Sequence, residues 1–323
     1  MRRPSRLAYR EPIRMTDVLS DIFDTIRLRA TLYFRTDYSP PWAITVPSYA
    51  RAARFHLVIQ GRCHVALASG LTVDLGPGDL VLIARGQEHT LADSPGRRPS
   101  PLETVVKESG YDGNGVFVVG SGNANASTKM VCGHFGFTEG ADHPLLRALP
   151  EVIVLTPADR ARHVLLDETL RLVARRAFTD GLGSSAAISR LCEVFFIESV
   201  RASIEQCPEL ARILEAMTDP QIGRALELLH KDPARAWTVD GLATEVGMSR
   251  SRFADRFAEL MKQGPIAYLG EWRLQKALAR LSNADISVKE VAREIGYRSP
   301  AAFTRAFGQR FGAPPTRYQS GEA

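Results

Sequence analysis

The C-terminal part of the chain contains two versions of one pattern. LATEVGMSRSRFADRF begins at Leu242, and VAREIGYRSPAAFTRAF begins at Val291. In each version, apolar residues at helical spacing lead to a glycine, Gly247 or Gly296, and aromatic residues then recur every four positions. Glycine readily takes the left-handed backbone conformation that ends a helix. Each copy therefore predicts two short helices around a tight turn, and the repetition indicates a duplicated unit.

The second predicted helix of each copy has an apolar face and a polar, cationic face. In the later copy Phe303 and Phe307 lie on the apolar stripe, and Arg305 lies off it. Ser287 and Glu290 have the spacing of a capping box, which starts a helix. A short helix, a glycine turn and a second helix with a cationic outer face form a helix-turn-helix unit, whose second helix enters the major groove of DNA.

The segment between the copies, PIAYLGEWRLQKALARLS, predicts a connecting helix. Its apolar stripe consists of Ile266, Leu269, Leu274, Ala277, Leu278 and Leu281. A stiff helix would hold the two recognition helices at a fixed separation. One turn of B-DNA, roughly 34 Å, brings the next major groove to the same face. We therefore expect one monomer to read two successive grooves.

From about Asp219 to Gln319 the chain resembles the DNA-binding domain of the AraC/XylS-type bacterial transcription regulators. The resemblance runs through both copies and through YLGEWRLQKALARL between them. It implies that the outward residues of both recognition helices contact bases and phosphates. The expected DNA contacts are Ser249, Arg250, Ser251, Arg252, Asp255, Arg256 and Arg273 for the first unit, and Arg298, Ser299, Ala301, Arg305 and Gln309 for the second.

Asp255 departs from the pattern of this family, which often has a cation or an amide there. A carboxylate repels phosphate and can accept a hydrogen bond only from a base amino group such as that of cytosine. A salt bridge from Asp255 to Arg252 or Arg256 is the alternative role for this residue.

The first half of the chain has short β-rich runs separated by glycine and proline, and these predict a sandwich or barrel. ETVVKE, which begins at Glu103, is one of the predicted strands. LTVDLGPGDLVLIARGQEHTL resembles the second cupin motif, and with FHLVIQGRCHV and VCGHFGF it resembles the cupin sensor domain of an AraC-type subgroup. The resemblance implies a small-molecule effector, and the candidate residues are His56, His64, His89, Cys132 and His134.

Two further classes of protein remain as alternatives. One is a metal-dependent cupin enzyme fused to a DNA-binding domain, which the missing H-x-H pair disfavours. The other is a repair protein with a cysteine-zinc methyl acceptor, which the dispersed cysteines disfavour. We therefore expect no catalytic residue, metal or cofactor. A redox pair of Cys63 and Cys132 stays open, and GSGNANAS, from Gly120, predicts a solvated hairpin rather than a phosphate loop.

A strongly apolar helix is predicted between the two halves, in SSAAISRLCEVFFIESVRASIEQC. Its apolar residues exceed what a single partner face needs, so we expect it to pack under the barrel and to form a homodimer interface. These residues are Ile188, Leu191, Val194, Phe195, Ile197, Val200 and Ile204.

The predicted fold is a multidomain α+β chain. Residues 1–14 form a disordered extension, 15–150 the cupin-like barrel, 151–218 a helical linker and dimerisation segment, and 219–320 the all-α domain with two helix-turn-helix units. The net charge is +5, and most of the excess lies after residue 219, as phosphate binding requires. No apolar run has the length of a membrane span. We expect a cytoplasmic regulator whose partners are double-stranded promoter DNA, an effector, a second copy and RNA polymerase.

Overall fold

The computed structural model describes residues 17–49, 52–120, 126–179, 181–282 and 286–319. Strands dominate the first part of these residues and helices the second, which confirms the predicted α+β class. The extension expected at residues 1–14 lies outside the described residues, as do positions 121–125 of the Gly-Ser-Asn-rich hairpin.

Two sheets face each other and enclose the interior of the N-terminal domain. The larger sheet has the strand order β11-β6-β3-β10-β1-β9, and the smaller has the order β5-β4-β7-β2-β8. Neighbours are antiparallel except for the parallel pairs β1/β9 and β2/β8. The strands are β1 (Arg29–Tyr38), β2 (Ala43–Val46), β3 (Ala52–Gln60), β4 (Cys63–Leu67), β5 (Thr72–Leu75), β6 (Leu80–Ile83), β7 (His89–Ala92), β8 (Ser100–Pro101), β9 (Phe117–Val119), β10 (Thr128–Gly136) and β11 (Val152–Leu155).

Strand β3 shows how alternation of side chains builds this domain. Arg54, His56 and Val58 point into the space between the sheets. Phe55 and Leu57 point to the outer face, where they join the core formed with the helices. Because both faces are covered, the strand is buried along most of its length.

Two elements differ from the sequence prediction. ETVVKE is not a strand but part of a helix. Glu103 and Lys107 are one helical turn apart, only Val105 is buried, and Gly110 ends the helix in the left-handed conformation. The segment from residue 151, expected to be helical, begins with β11, which pairs with β6 and extends the larger sheet.

The helices surround the larger sheet and form the C-terminal half. They are α1 (Val18–Ile26), α2 (Leu102–Ser109), α3 (Pro144–Arg147), α4 (Pro157–Arg160), α5 (Val164–Ala177), α6 (Ser184–Ala202), α7 (Pro208–Thr218), α8 (Ile222–Lys231), α9 (Val239–Glu245), α10 (Arg250–Met261), α11 (Pro265–Leu281), α12 (Val288–Glu294), α13 (Pro300–Phe311) and α14 (Pro315–Gln319). None of the described helices combines the length and the apolar composition needed to cross a bilayer.

Helix α6 packs most of its apolar surface against the outer face of the larger sheet. The ring of Phe195 lies 4.9 Å from that of Phe55 and 5.1 Å from that of Phe135, measured between centroids. Within the predicted dimerisation stripe, Val194 and Ile204 are exposed, whereas Ile188, Phe195 and Val200 are buried. Packing under the barrel therefore accounts for much of the stripe.

Both predicted helix-turn-helix units are present, as α9–α10 and α12–α13. Gly247 and Gly296 have positive φ angles of 68° and 87° after the first helix of each unit. A Cβ atom on Gly296 would also lie 2.6 Å from the carbonyl oxygen of Ala234, so the turn packs too closely for a side chain. Ser287 and Glu290 form the expected capping box. The buried stripes of the two recognition helices include Phe253, Phe257, Leu260, Phe303 and Phe307.

The connecting helix α11 is continuous and contributes to two cores. Its first half, with Tyr268 and Trp272, belongs to the large core that runs from the barrel's outer face through α6 and α8 to α10. Its second half, from Leu274, forms a separate core with α12 and α13. Ile266, which was predicted on the buried stripe, is exposed. It lies in the first turn of α11, before the helix passes between its partners.

Candidate DNA interface and candidate effector site

The first recognition helix, α10, presents polar residues to solvent. The expected contacts Ser249, Arg250, Ser251, Arg252 and Asp255 are all exposed. Nε of Arg250 lies 3.5 Å from a carboxylate oxygen of Asp240, but both side chains are largely exposed, so this ion pair holds the guanidinium only weakly. These side chains are free to reach a DNA groove.

Two expected DNA contacts of the first unit have partners inside the protein. Arg256 forms ion pairs with Glu215, Asp219 and Glu259, which join α10 to α7 and to the loop after it. Arg273 donates hydrogen bonds to the carbonyl oxygens of Pro233 (2.6 Å) and Arg235 (2.9 Å). These contacts hold both side chains against the first unit.

Asp255 does not form the salt bridge considered for it. The carboxylates that pair with Arg256 are other residues, and within the described ranges Asp255 forms no ion pair. Asp255 is exposed on the same helix as Arg252. It remains a candidate base contact rather than an internal partner.

The second recognition helix, α13, has a fully exposed polar face. Ala301, Arg305 and Gln309 lie one helical turn apart from each other, and each is exposed. Ser299 is the N-cap residue, and its hydroxyl accepts a hydrogen bond from the backbone of Ala302 at 3.4 Å. Ser299 therefore positions the start of the helix that carries Arg305.

A cleft of about 950 Å³ lies beside the start of α13. Its lining includes Lys289, Arg293 and Arg298, which are cationic and exposed. Cations grouped beside a recognition helix favour contact with the phosphate backbone. Arg298, an expected DNA contact, is therefore exposed beside α13, and Lys289 and Arg293 were not among the expected contacts.

Three of the five candidate effector residues meet inside the barrel. Nδ1 of His56 lies 3.0 Å from Sγ of Cys132, and its Nε2 lies 2.9 Å from Nε2 of His89. Nδ1 of His89 donates to the carbonyl oxygen of Gln87 at 2.8 Å, which fixes the tautomers. The thiol of Cys132 therefore donates to His56, and His56 donates to His89.

This chain of hydrogen bonds consists of neutral groups. Burial lowers the pKa of His56 well below its usual value, and it lowers that of His89 to about 4. Burial also raises the pKa of the Cys132 thiol well above its usual value. All three side chains are almost inaccessible to solvent. They form a satisfied polar network rather than an exposed reactive centre.

The remaining two candidates lie elsewhere. His134 pairs in register with Arg54 across β10 and β3, two residues along from the pair of Cys132 and His56. His64 points to the opposite face of β4, where its Nδ1 lies 2.7 Å from a carboxylate oxygen of Asp74. The prediction that His64 joins the other candidates inside the barrel is therefore wrong, because side chains alternate along a strand.

Arg54, Tyr33 and Tyr49 lie together at one end of the barrel and were not among the predicted site residues. Cζ of Arg54 lies 5.6 Å from the ring centroid of Tyr33 and 5.4 Å from that of Tyr49. His134 is next to both rings. The available signal was the alternation in ARFHLVI, which places a cation on the same face as His56.

The four cysteines are free and buried, and burial raises the pKa of Cys63 to about 12. Across the described parts of the chain, no group of three or more His, Cys, Asp or Glu residues has the arrangement of a metal site.

Comparison with known proteins places these features in context. A family profile described as "Cupin" matches residues 17–205, and one described as "Helix-turn-helix domain" matches residues 242–321. The transcriptional regulator AlkR of Acinetobacter baylyi is 30% identical over 94% of this chain and 99% of its own. An AraC-like transcription regulator of Streptomyces lividans is 29% identical over 94% of this chain and 98% of its own. The solved DNA-binding domain of AdpA, in complex with a target DNA, is 32% identical over 32% of this chain and 92% of its own, with a TM-score of 0.30.

Proposed function

Because this chain belongs to the AraC-type family of transcription regulators, with a cupin domain before the helix-turn-helix domain, we propose that both of its recognition helices bind promoter DNA. The observation that carries this proposal is the exposed polar face of α13 with Arg305 and Gln309, joined through continuous α11 to the exposed face of α10. Arg250 and Arg252 supply mainly phosphate contacts, and Arg305 supplies base discrimination. Arg256 and Arg273 support the first unit from inside.

Selection of bound sequences from random double-stranded DNA tests this proposal. The full chain should enrich a site with two blocks of preferred bases, centred about one helical turn, roughly 34 Å, apart. Enrichment of a single block would mean that only one unit reads DNA. Without any enrichment at low salt, where phosphate contacts are strongest, the proposal would be wrong.

The barrel is proposed to sense a small effector, with His56, His89, Cys132 and His134 at or beside the site. The supporting observation is the polar chain inside the barrel, since buried polar groups are kept where they are satisfied or used. Substituting His56 or His89 should alter the response to effector while DNA binding survives. An equal loss of both would show that these histidines serve folding.

We also propose that the regulator is a cytoplasmic homodimer that acts with RNA polymerase. The exposed apolar residues on the two helices between the halves support self-association, and they include Leu165 and Leu172 on α5 and Val194 on α6. Because the sheet already covers much of α6, the proposed interface now includes α5. The relatives are transcription regulators, and no catalytic role is proposed.

A further inference from the structure

Arg54 is a buried cation that lacks an anionic partner in the part of the chain that the structure describes. Its residue is only 6% exposed. Nη1 donates to the hydroxyl of Tyr33 at 2.9 Å, and Nη2 makes a long contact of 3.4 Å with the carbonyl oxygen of Pro47. Nε is shielded from solvent and has no hydrogen-bond partner within residues 17–49, 52–120, 126–179, 181–282 and 286–319. Among the described residues, no Asp or Glu forms an ion pair with this guanidinium.

The packing around Arg54 only partly compensates its charge. The faces of Tyr33 and Tyr49 lie at cation–π distance and favour a positive charge there. A ring face does not replace the acceptor that the Nε–H group lost when it left water. Burying a charged donor without an acceptor is unfavourable, so its retention inside the barrel calls for a ligand that supplies one.

The unpartnered side edge of the guanidinium carries the donor pair that a carboxylate needs. Arginine binds a carboxylate through two parallel N–H bonds, and its side edge provides Nε–H and one Nη2–H. This is the edge that carries the unpartnered Nε and the weakly bound Nη2. Tyr33 accepts from Nη1, which is not part of this edge, so this hydrogen bond leaves the pair of Nε and Nη2 donors available.

The surroundings favour a single negative charge on an apolar body. His134 stays neutral because burial and the nearby Arg54 both lower its pKa. Burial raises the pKa of Tyr33 to about 12, so the phenol also stays neutral. One cation balances one carboxylate, whereas a phosphate dianion would leave excess charge in the barrel. The rings of Tyr33, Tyr49 and His134 provide an apolar surface beside it, and Tyr49 is 58% exposed, which puts the site at the solvent-facing edge.

We propose that the side edge of Arg54 binds the carboxylate of a small organic monocarboxylate whose apolar or aromatic body packs beside the rings of Tyr33 and Tyr49, and that this ligand is the class of effector the barrel senses. The inference rests on the proposed function, because it names the chemistry of the ligand for the proposed sensor. It adds a residue that neither the cupin resemblance nor the histidine pattern indicated.

Titration calorimetry on the full chain tests this site with acetate and benzoate as probes. Acetamide and benzamide are uncharged controls of the same shape, and inorganic phosphate tests the charge. We expect saturable binding of benzoate, weaker binding of acetate and no binding of the amides. Arg54→Met and Arg54→Lys should each weaken benzoate binding at least tenfold, since neither offers the side edge. Arg62→Met, the same loss of charge at an exposed arginine of the same domain, should leave it unchanged.

Nitrogen-15 NMR of arginine Nε–H groups gives a second readout on the wild-type protein. One Nε–H resonance, identified by its absence in Arg54→Lys, should shift downfield with benzoate and not with benzamide. This readout decides the question if Arg54→Met fails to fold. An unmoved Arg54 resonance, unchanged affinity in the Arg54 variants, or tighter binding of phosphate than of benzoate would each overturn the proposal.

DNA binding by the same samples separates this site from the proposed function. An Arg54→Met protein that loses benzoate binding but retains its selected DNA site supports both. A wild-type protein that binds benzoate yet enriches no DNA site overturns the proposed function and leaves the carboxylate site standing.

Discussion

The hydroxyl of Tyr268, in α11, lies 3.1 Å from Nε2 of His143, in the segment before α3, so a buried hydrogen bond joins the DNA-binding half to the sensor half. The same hydroxyl lies 2.7 Å from Nε2 of His230. Nδ1 of His230 donates in turn to Asp21 of α1 at 2.9 Å, and Lys276 contacts the other oxygen of that carboxylate at 2.5 Å. The hydroxyl of Tyr268 therefore accepts a hydrogen bond from His143 in the sensor half and donates one to His230 in the DNA-binding half.

Removing this hydroxyl should loosen the junction. Tyr268→Phe keeps the ring but leaves the N–H of His143 and a nitrogen of His230 without partners in a buried place. We expect a loss of about 1–3 kcal/mol in the free energy of unfolding, measured with urea. Tyr318→Phe removes a weaker, partly exposed hydrogen bond of 3.4 Å and should cost less. Equal losses in the two variants would argue against a special role for Tyr268.

Arg305→Ala should weaken binding to the selected DNA site by about 1–3 kcal/mol and relax its preference at one or two bases, because it removes a base contact. Fluorescence anisotropy over a range of salt concentrations measures this change. Arg224→Ala, an exposed arginine on α8, is the control and should have little effect. Unchanged affinity with an intact fold would remove Arg305 from the interface.

The spacing of the two units predicts sensitivity to the helical phase of DNA. Five base pairs, about half a turn, inserted between the two contact blocks should abolish simultaneous binding by one chain, since one groove rotates to the far side. The second turn is one residue longer, so the units should contribute unequally. The same insertion outside the footprint is the control. Full protection of both blocks after the central insertion would contradict a rigid connection through α11.

Acid should destabilise the barrel through His89. Burial lowers its pKa from 6.5 to about 4, so the unfolded chain binds a proton near pH 6.5 that the folded chain binds only near pH 4. The contribution of His89 to the free energy of unfolding is therefore fully present above pH 6.5 and is lost as the pH falls from 6.5 to about 4. The loss is roughly 3 kcal/mol, at about 1.4 kcal/mol per pKa unit. His56 acts in the same direction.

Urea unfolding of His89→Gln at pH 7 and pH 4.5 checks this sign. The variant should lose less stability on acidification than the wild type, even if it is less stable at pH 7. His163→Gln, at a less buried histidine outside the barrel, should follow the wild type. A variant with the full acid sensitivity would show that His89 is not the responsible group.

Leu172→Glu should shift the protein from dimer to monomer in sedimentation velocity, because it puts a charge into an apolar interface. Leu71→Glu is a matched control, since the two leucines are 40% and 42% exposed but Leu71 lies in the β4–β5 hairpin. A wild-type protein that is monomeric at micromolar concentration, or a Leu172→Glu dimer, would contradict the proposed interface.

Local sequence patterns predicted the helices of the C-terminal half well. They could not predict contacts between residues that are distant in the sequence. Helical periodicity reveals which face of α13 is buried, because Phe303 and Phe307 are neighbours along one helix. The partners of Arg256 could not be read in this way. Glu215 and Asp219 lie on or just after another helix, α7, and only the fold brings them to Arg256.

In the barrel, too, local patterns were predictable from the sequence and contacts between distant strands were not. Alternation correctly grouped Cys132 and His134 on one face, but the partner of each depends on the register between β3 and β10. The isolation of Arg54 depends on all of its surroundings, since none of the described carboxylates forms an ion pair with it. A sequence window cannot express such an absence, whereas a folded structure can.

The unequal sharing of α11 between two cores also bears on how such regulators diversify. The first unit packs into the same core as the helices under the barrel, so substitutions on either side must remain compatible with each other. The second unit closes its own core around Phe303 and Phe307. Exchange of α12 and α13 between relatives should therefore be tolerated more readily than exchange of α9 and α10, provided that the ion pair from Arg310 of α13 to Asp142 of the sensor half is kept. New promoter specificities can then be acquired through the second unit while the sensor is inherited intact.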